Sequence, residues 1–185
     1  RTALNFLQRL CGIATLTNRF VRRLDGSGVT VLDTRKTTPG LRILEKYAVT
    51  RGGGENHRFG LYDRVMIKDN HRLVASLEGP GGIARAVKAA RKAYPGLDVE
   101  VEADTLDDFQ EAVEAKADYI LLDNMTGDEM RLAVEINSGT ALLEASGNIT
   151  LERVPDVATT GVDFISVGAL THSPPAIDIG LDIKL

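Results

Sequence analysis

The stretch VEVEADTLDDFQEAVEAKADYILLDN, residues 99–124, places a helical pattern between two short apolar runs. The runs Val99–Val101 and Tyr119–Leu122 are rich in β-branched and aliphatic residues, which favour buried strands. Between them, Leu106–Lys116 repeats its apolar residues at the spacing of one helix face. A strand, a helix and a second strand in this order predict a βαβ unit with parallel strands.

The same alternation continues along the rest of the chain. We predict further strands at Val29–Leu32, Val65–Ile67, Ala141–Leu143 and Phe164–Val167, and helices at Thr2–Leu24, Leu41–Val49, Gly82–Tyr94, Asp128–Asn137 and Leu151–Thr160. The first helix is long and amphipathic, with one stripe formed by Leu4, Leu7, Leu10 or Cys11, Ala14 and Phe20. A last short strand is predicted at residues 183–185. Because the strands lack polar alternation, we expect one α/β domain over residues 1–185, with helices covering a parallel sheet.

The composition excludes several classes of protein. With 43% hydrophobic residues among 185, the chain has enough apolar side chains for one sizeable core. Its net charge of −4 provides no long-range field that attracts nucleic acid or an anionic membrane. We see neither a membrane-spanning apolar stretch nor a signal-peptide pattern, so we expect a cytoplasmic protein without nucleic-acid or membrane partners. We expect Cys11 to be a small core residue, and His71 and His172 to be structural.

Charged residues follow the predicted strands at the point where each strand ends. The carboxyl ends of parallel strands meet at one rim, where barrel active sites are built. We therefore expect two ammonium groups and two carboxylates to converge there, from Lys36, Lys68, Glu102 and Asp123. For Asp33 or Asp104 taken singly, a solvated loop charge or a helix cap is the simpler interpretation.

Two basic segments predict a site for an anion. Residues 34–38 and 52–58 combine arginine, lysine and histidine side chains with hydroxyl groups, in stretches bounded by proline or rich in glycine. Arginine binds carboxylates with two parallel hydrogen bonds, and lysine acts as a compact charge, so the natural ligand carries two or more negative charges. A flexible linker is the alternative interpretation of the glycines at 52–54.

The two carboxylates require a different explanation, since an acidic group beside an anion raises the energy of the ligand. A Mg²⁺ ion carried by a diphosphate would resolve this conflict for Glu102 and Asp123. Hydrogen bonds to sugar hydroxyls, stabilisation of a cationic transition state, or salt bridges to Lys36 and Lys68 are the alternatives.

Small-residue turns follow the last two strands of the predicted sheet. Backbone N–H groups at such turns bind phosphate, and barrels often place a phosphate site after their final strands. The residues concerned are Ser146, Gly147, Asn148, Val167, Gly168 and Ala169. Tight packing between strand and helix would favour small residues at the same positions.

Seven segments, taken in order, resemble the motifs of one family over essentially the whole chain. They are RTALNF (1–6), DTRKTTPGLR (33–42), GGG leading to NHR (52–58), IKDNH (67–71), VEVE (99–102), LLDN (121–124) and SVGALT (166–171). The family is quinolinate phosphoribosyltransferase, also called nicotinate-nucleotide pyrophosphorylase (carboxylating). The resemblance implies an open, incomplete TIM-like α/β barrel of parallel strands with surrounding helices, preceded by the long amphipathic helix.

The resemblance also implies a reaction and a set of site residues. Quinolinate and phosphoribosyl pyrophosphate become nicotinate mononucleotide, pyrophosphate and carbon dioxide in de novo NAD biosynthesis, with Mg²⁺. The catalytic residues are Lys36, Lys68, Glu102 and Asp123, of which Glu102 and Asp123 engage the ribose hydroxyls and the metal-bound diphosphate. The quinolinate carboxylates are held by Thr34, Arg35, Lys36, His57, Arg58 and Lys68, with Arg1 reaching in from the neighbouring subunit of a homodimer or higher homo-oligomer. The turns at Ser146–Asn148 and Val167–Ala169 hold the 5′-phosphate.

Other functions stay open at this point. A phosphosugar aldolase or isomerase would share the phosphate turns and a strand-end lysine, but it would need a covalent or proton-shuttling residue. We expect no Schiff base on Lys36 or Lys68. Members of the family carry an amino-terminal domain that covers the barrel mouth of a partner and that residues 1–185 do not include, so an inactive binding fragment is a second alternative.

Overall fold

The computed structural model describes residues 1–183 and shows a parallel sheet surrounded by helices. The strands are β1 (Thr30–Leu32), β2 (Val65–Ile67), β3 (Val99–Ala103), β4 (Tyr119–Asp123), β5 (Leu142–Ser146) and β6 (Phe164–Ser166). The helices are α1 (Thr2–Arg23), α2 (Arg42–Arg51), α3 (Asp69–Ser76), α4 (Gly82–Ala93), α5 (Leu106–Glu114), α6 (Gly127–Asn137), α7 (Val154–Ala158) and α8 (Ala169–His172). The strands predicted between residues 29 and 167 are all present, which confirms the α/β class.

The six strands run parallel in the order β1-β6-β5-β4-β3-β2. The edges of the sheet are therefore β1 and β2, as in an incomplete barrel. Beside β1, Glu55 forms a bridge with Leu32, so the segment that follows α2 extends this edge. Because all strands are parallel, their carboxyl ends lie on one side, and the loops after them form a common rim.

Apolar side chains fill the space around the sheet. Val99 and Val101 of β3 and Ile120 and Leu122 of β4 are fully buried, and so is Phe109 of α5. Burial of a side chain of this size contributes about 1.5–3 kcal/mol. This core holds the central strands rigidly and so fixes the rim.

Capped helices begin directly after the central strands. After β3, Thr105 accepts a hydrogen bond from the N–H of Asp108 at 3.1 Å. After β4, the carboxylate of Glu129 accepts the N–H of Thr126 at 2.7 Å, while the Thr126 hydroxyl accepts the Glu129 N–H at 3.3 Å. Such caps satisfy the free N–H groups of a helix start. They keep both loops short and fix the last residue of each strand.

The buried face of α1 differs from the predicted stripe. Leu7 is 47% exposed, whereas Ile13, Thr17 and Phe20 are buried. The prediction was wrong for Leu7, whereas Leu10 is partly buried and packs against the core. The second half of the helix makes the close contact with the turn after α2. Cys11, which we expected in the core, is only partly buried.

The glycines at 52–54 form a packed turn and not a flexible linker. A Cβ atom at Gly52 would lie 2.5 Å from the carbonyl oxygen of Ala14, and one at Gly54 would lie 2.8 Å from Thr17 Cγ2. Gly53 has a φ of +91°, in the left-handed region that side chains disfavour. The turn therefore brings α2 against α1 and leads directly into the segment beside β1.

Several boundaries also differ from the prediction. The strands β3 and β5 are longer at their carboxyl ends, and α3 and α8 are helices whose bounds were not predicted. Ile183 is not in a strand, and residues 184–185 of the last predicted strand lie outside the described residues. Over residues 1–183, none of the helices has the length and apolar character needed to cross a bilayer.

Candidate active site

A cavity of about 250 Å³ opens at the carboxyl ends of the strands. We call it the basic cavity. Its lining residues are Thr34, Arg35, Lys36, His57, Arg58, Met66, Lys68, Glu102, Leu121, Asp123, Glu144, Ser146 and Ser166. They come from every strand end of the sheet and from the segment after α2, so the rim gathers side chains that are far apart in the sequence.

Most of the residues predicted for substrate binding and catalysis lie around this cavity. The four catalytic candidates line it, and these are Lys36, Lys68, Glu102 and Asp123. Thr34, Arg35, His57 and Arg58, expected to bind a dianion, line it as well. Arg1 is exposed at the start of α1 and, within the described part of the chain, lines neither this cavity nor the one beside it.

A second cavity, which we call the turn cavity, lies beside the first and measures about 530 Å³. All six residues predicted to bind phosphate line it, namely Ser146, Gly147, Asn148, Val167, Gly168 and Ala169. Lys36, Asp123 and Ser146 line both cavities, so a ligand could extend from one into the other. His172, which we expected to be structural, also lines the turn cavity.

The turn after β5 packs closely against the turn after β4. A Cβ atom at Gly147 would lie 2.2 Å from Asn124 Oδ1 and 2.8 Å from the Asn124 backbone nitrogen, and Gly147 has a φ of +91°. Asn148 Nδ2 donates a hydrogen bond to Asn124 Oδ1 at 3.1 Å. Close packing therefore accounts for the glycine, whatever ligand the cavity takes.

Two arginines bring unpaired donors to the basic cavity. The Nε atoms of Arg35 and Arg58 are buried and have no hydrogen-bond partner among residues 1–183. Arg58 Nη2 contacts Met66 Sδ at 3.0 Å, and its Nη1 contacts the Arg64 carbonyl oxygen at 3.5 Å. Burial lowers the pKa of Arg58, although Glu100 opposes this effect. A buried cationic donor without an acceptor is costly, so the site is built to receive an anionic ligand.

Carboxylates form the acidic side of the same rim. Lys68 and Glu102 form a salt bridge, as one alternative predicted, whereas Lys36 has no carboxylate within salt-bridge distance in the described range. Oxygen atoms of Glu102, Asp104 and Asp123 lie within 4.8 Å of one another. Carboxylate oxygens in this arrangement fit a hard divalent cation that takes its remaining ligands from phosphate and water.

A buried ion pair beneath the rim holds the segment that carries His57. Asp33 and Lys46 are 0% and 1% exposed and form a salt bridge. Asp33 Oδ1 also accepts the backbone N–H of His57 at 2.9 Å. Burial raises the pKa of Asp33 and lowers that of Lys46, while their mutual attraction opposes both shifts. The interpretation of Asp33 as a solvated loop charge or a cap was wrong, because this carboxylate anchors the chain from inside.

The ring of His57 is occupied at both nitrogen atoms. Nδ1 accepts the backbone N–H of Arg58 at 2.6 Å, and Nε2 lies 3.2 Å from Glu100 Oε1 and 3.0 Å from Glu144 Oε2. Burial lowers the pKa of His57, but the contacts with Glu100 and Glu144 raise it to about 9. The Nδ1 contact favours the neutral ring, because a nitrogen that accepts a hydrogen bond carries no proton. The two carboxylates favour the charged ring. In both states the Nε2 proton faces the carboxylates.

The two carboxyl groups beside His57 differ in their surroundings. Glu100 has a hydrogen bond with His57 and lies 3.4 Å from Arg64 Nη1, and these cations hold its pKa below the ordinary value despite burial. For Glu144, burial raises the pKa and the charge of Glu100 adds to the rise, while the contacts with His57 and Ser166 only partly oppose it. Neither side-chain oxygen of Glu144 has an aligned hydrogen bond within residues 1–183.

The family model described as "Quinolinate phosphoribosyl transferase, C-terminal domain" matches residues 13–182. The chain belongs to this quinolinate phosphoribosyltransferase family. It is 50% identical over 186 residues to the probable nicotinate-nucleotide pyrophosphorylase (carboxylating) of Bacillus subtilis, a match that covers 100% of this chain and 63% of that protein. The corresponding protein of Mycobacterium leprae is 46% identical and is covered over 64% of its length.

Solved structures of quinolinate phosphoribosyltransferase relatives share the fold. The nicotinate-nucleotide pyrophosphorylase of Francisella tularensis is 49% identical with a TM-score of 0.90, over 96% of this chain and 62% of that one. The Ehrlichia chaffeensis protein is 44% identical with a TM-score of 0.93, over 100% and 65% of the two chains. The chain therefore spans just under two thirds of the length of these relatives.

Sequence reasoning missed four buried charged residues of this quinolinate phosphoribosyltransferase family member. They are Glu45, Lys46, Glu100 and Glu144, each 1% exposed or less. Glu100 lay inside a predicted strand and Glu144 directly after another, and neither was among the predicted site residues. A signal was present, because a charged residue within an apolar strand is rarely buried without a role.

Proposed function

We propose that the chain forms the catalytic part of an enzyme that joins quinolinate to phosphoribosyl pyrophosphate. The products would be nicotinate mononucleotide, pyrophosphate and carbon dioxide, in de novo NAD biosynthesis. The Bacillus subtilis and Francisella tularensis relatives are named nicotinate-nucleotide pyrophosphorylases, which supports this reaction.

One observation carries the proposal: Arg35 and Arg58 line one cavity, and each has a buried Nε atom without a hydrogen-bond partner among residues 1–183. Quinolinate has two adjacent carboxylates, and two guanidinium groups supply the matching charge-assisted hydrogen bonds. Lys36 and Lys68 line the same cavity and add positive charge. A cavity of about 250 Å³ is suited to a small aromatic dianion and not to a macromolecule.

The acidic side of the rim suits the sugar diphosphate. When pyrophosphate leaves, positive charge develops on the ribose, and the carboxylates of Glu102 and Asp123 would stabilise it. These two residues would also hold Mg²⁺ through water and substrate oxygens, and the ion would neutralise the leaving diphosphate. The 5′-phosphate would occupy the turn cavity, next to Lys36.

Beyond binding, the protein needs mainly to orient the reactants. Attack of the pyridine nitrogen on the ribose leaves a cationic ring, which then stabilises the electron pair left when the adjacent carboxylate departs as carbon dioxide. Holding the ring nitrogen near the ribose carbon converts a bimolecular reaction into an intramolecular one. In this proposal, Arg1 of a second subunit completes the quinolinate site of a homodimer or higher homo-oligomer, and the protein works in the cytoplasm.

Neither Lys46 nor Lys68 suits the role of the lysine in a Schiff-base aldolase. Burial lowers the pKa of Lys46, as such an enzyme requires of its lysine. However, Lys46 is locked in the ion pair with Asp33 and is not among the residues that line the basic cavity. Lys68 lines the cavity but is paired with Glu102.

The experiment measures the carbon dioxide that is released from quinolinate. The intact protein is incubated with Mg²⁺, phosphoribosyl pyrophosphate and quinolinate labelled in the carboxylate next to the ring nitrogen. We expect equal amounts of labelled carbon dioxide and pyrophosphate, and neither product when nicotinate replaces quinolinate. Absence of labelled carbon dioxide in the intact protein would contradict the proposal.

A further inference from the structure

Glu144 is an acidic group in a cavity built for an anion. It lies in the middle of β5 between Leu143 and Ala145, is 1% exposed and lines the basic cavity. Neither of its oxygens has an aligned hydrogen bond in the part of the chain that the structure describes. A buried carboxyl group in this state destabilises the fold, so its presence points to a role toward the ligand.

The charged groups around Glu144 determine whether its carboxyl group is protonated or ionised. Glu100 is close by and has its own cations, since Arg64 lies 3.4 Å away and His57 donates a hydrogen bond at 3.2 Å. Two adjacent buried carboxylates repel each other, so the one with fewer cationic neighbours keeps its proton. Glu144 shares His57 with Glu100, since its Oε2 lies 3.0 Å from His57 Nε2, but within residues 1–183 it has no second salt bridge like that of Glu100 with Arg64. Burial and the charge of Glu100 raise the pKa of Glu144, while the contacts with His57 and Ser166 only partly oppose the rise.

The proposed reaction needs one acid. When carbon dioxide leaves, the carbon–carbon bond breaks and its electron pair stays on the ring carbon, which must then gain a proton to give nicotinate mononucleotide. Other acids at the cavity are less suited. Lys68 is paired with Glu102, Lys36 also lines the turn cavity proposed for the 5′-phosphate, and the Nε2 proton of His57 faces Glu100 and Glu144. Neither oxygen of Glu144 has an aligned hydrogen bond among residues 1–183, so no protein group there holds its own proton.

We propose that the carboxylic acid of Glu144 donates its proton to the ring carbon that loses carbon dioxide. A C–H bond forms there, the O–H bond of Glu144 breaks, and the side chain is left as a carboxylate. Water entering the cavity returns a proton to Glu144 before the next turnover. The proposal rests on the proposed function, in which the basic cavity holds quinolinate.

The test compares Glu144→Gln with Glu144→Asp in the intact protein. Gln is nearly isosteric but has no acid proton, so we expect kcat to fall by about 10²–10⁴-fold, the usual contribution of a general acid. The KM for quinolinate should stay within about twofold, since Arg35 and Arg58 are unchanged. Pyrophosphate should still appear in the first turnover at nearly the parent rate. Asp retains an acid group and should keep more activity than Gln.

Asn137→Ala provides a control away from the basic cavity, because Asn137 is the last residue of α6 and contacts the chain just before β5. Asn137 is 6% exposed, and its side chain holds the backbone of Ala141 through hydrogen bonds of 2.8 and 2.9 Å. This variant should lower the melting temperature and leave kcat unchanged. A kcat of Glu144→Gln equal to that of the parent would overturn the inference. The inference would also fail if the release of pyrophosphate in the first turnover slowed as much as kcat, because that result indicates a general disruption of the site.

A measurement without substrate separates this inference from the proposed function. The infrared spectrum of the ligand-free protein should contain the carbonyl band of a buried carboxylic acid, and Glu144→Gln should remove it. If the band is absent from the parent, the inference fails even where labelled carbon dioxide is released. If the band is present and the parent releases no carbon dioxide, the proposed function fails, and the proton-donor assignment fails with it.

Discussion

The substitution Lys46→Met would break the buried ion pair that anchors the rim. Methionine retains most of the side-chain length but removes the ammonium group, so Asp33 would stay fully buried without its cation. The N–H of His57, at 2.9 Å, would still donate to Asp33 but supplies no full charge. Removing one partner of a buried pair costs about 3–5 kcal/mol. We therefore expect the free energy of unfolding to fall by about 4 kcal/mol.

Urea denaturation followed by circular dichroism measures this effect. With an m-value of roughly 2 kcal/mol/M, a loss of about 4 kcal/mol lowers the midpoint by about 2 M. The double variant Asp33→Asn/Lys46→Met serves as the control, because it leaves no uncompensated charge. It should be more stable than Lys46→Met alone. A midpoint for Lys46→Met within about 0.5 M of the parent would refute the argument that this pair fixes the rim.

Three further predictions concern binding, acid stability and covalent chemistry. Arg58→Leu removes an unpaired cationic donor, so quinolinate binding measured by calorimetry should weaken by about 10–150-fold, the value of a hydrogen bond to a charged group. Burial raises the pKa of Asp63, but hydrogen bonds from backbone N–H groups such as that of Gly60 outweigh this effect and hold the pKa below the ordinary 3.8. The stability that Asp63 contributes is therefore complete above pH 3.8 and is lost as the pH falls through the lowered pKa. Denaturation of Asp63→Asn and of the parent at several pH values should show this difference. Borohydride reduction with substrates present should leave Lys36 and Lys68 unmodified in peptide mass spectra.

Each of these predictions has a contrary outcome. Unchanged quinolinate affinity in Arg58→Leu would mean that the guanidinium does not face the ligand. If the stability of Asp63→Asn and that of the parent fall equally at acid pH, the Asp63 carboxylate contributes no stability to the fold. A reduced adduct on either lysine would favour the covalent aldolase type of reaction.

The sheet could be predicted from the sequence because each strand is a short apolar run of its own. Polar caps and glycines mark the ends of these runs, so their number and order follow from local pattern. The helix α3 was missed because its apolar residues Leu73 and Val74, and Leu77 directly after it, are 65–81% exposed. They contact little of the core of this chain, so the helix shows no clear apolar face toward the sheet.

The rim of the site could also be predicted, since residues that follow parallel strands must converge. The interior beneath it could not, because burial of a charge depends on partners that are distant in sequence. Lys46 on α2 meets Asp33 after β1, and Glu144 on β5 meets His57 after α2. No local spacing connects these pairs, and only the fold brings them together.

Quinolinate and nicotinate differ by one carboxylate, so comparing their binding to the intact protein tests the basic cavity most directly. Calorimetric titration should give quinolinate an affinity higher by about 10–150-fold, because the second carboxylate gains a charge-assisted hydrogen bond from Arg35 or Arg58. Equal affinities for the two ligands would contradict the central claim that Arg35 and Arg58 bind the two carboxylates of a dianion.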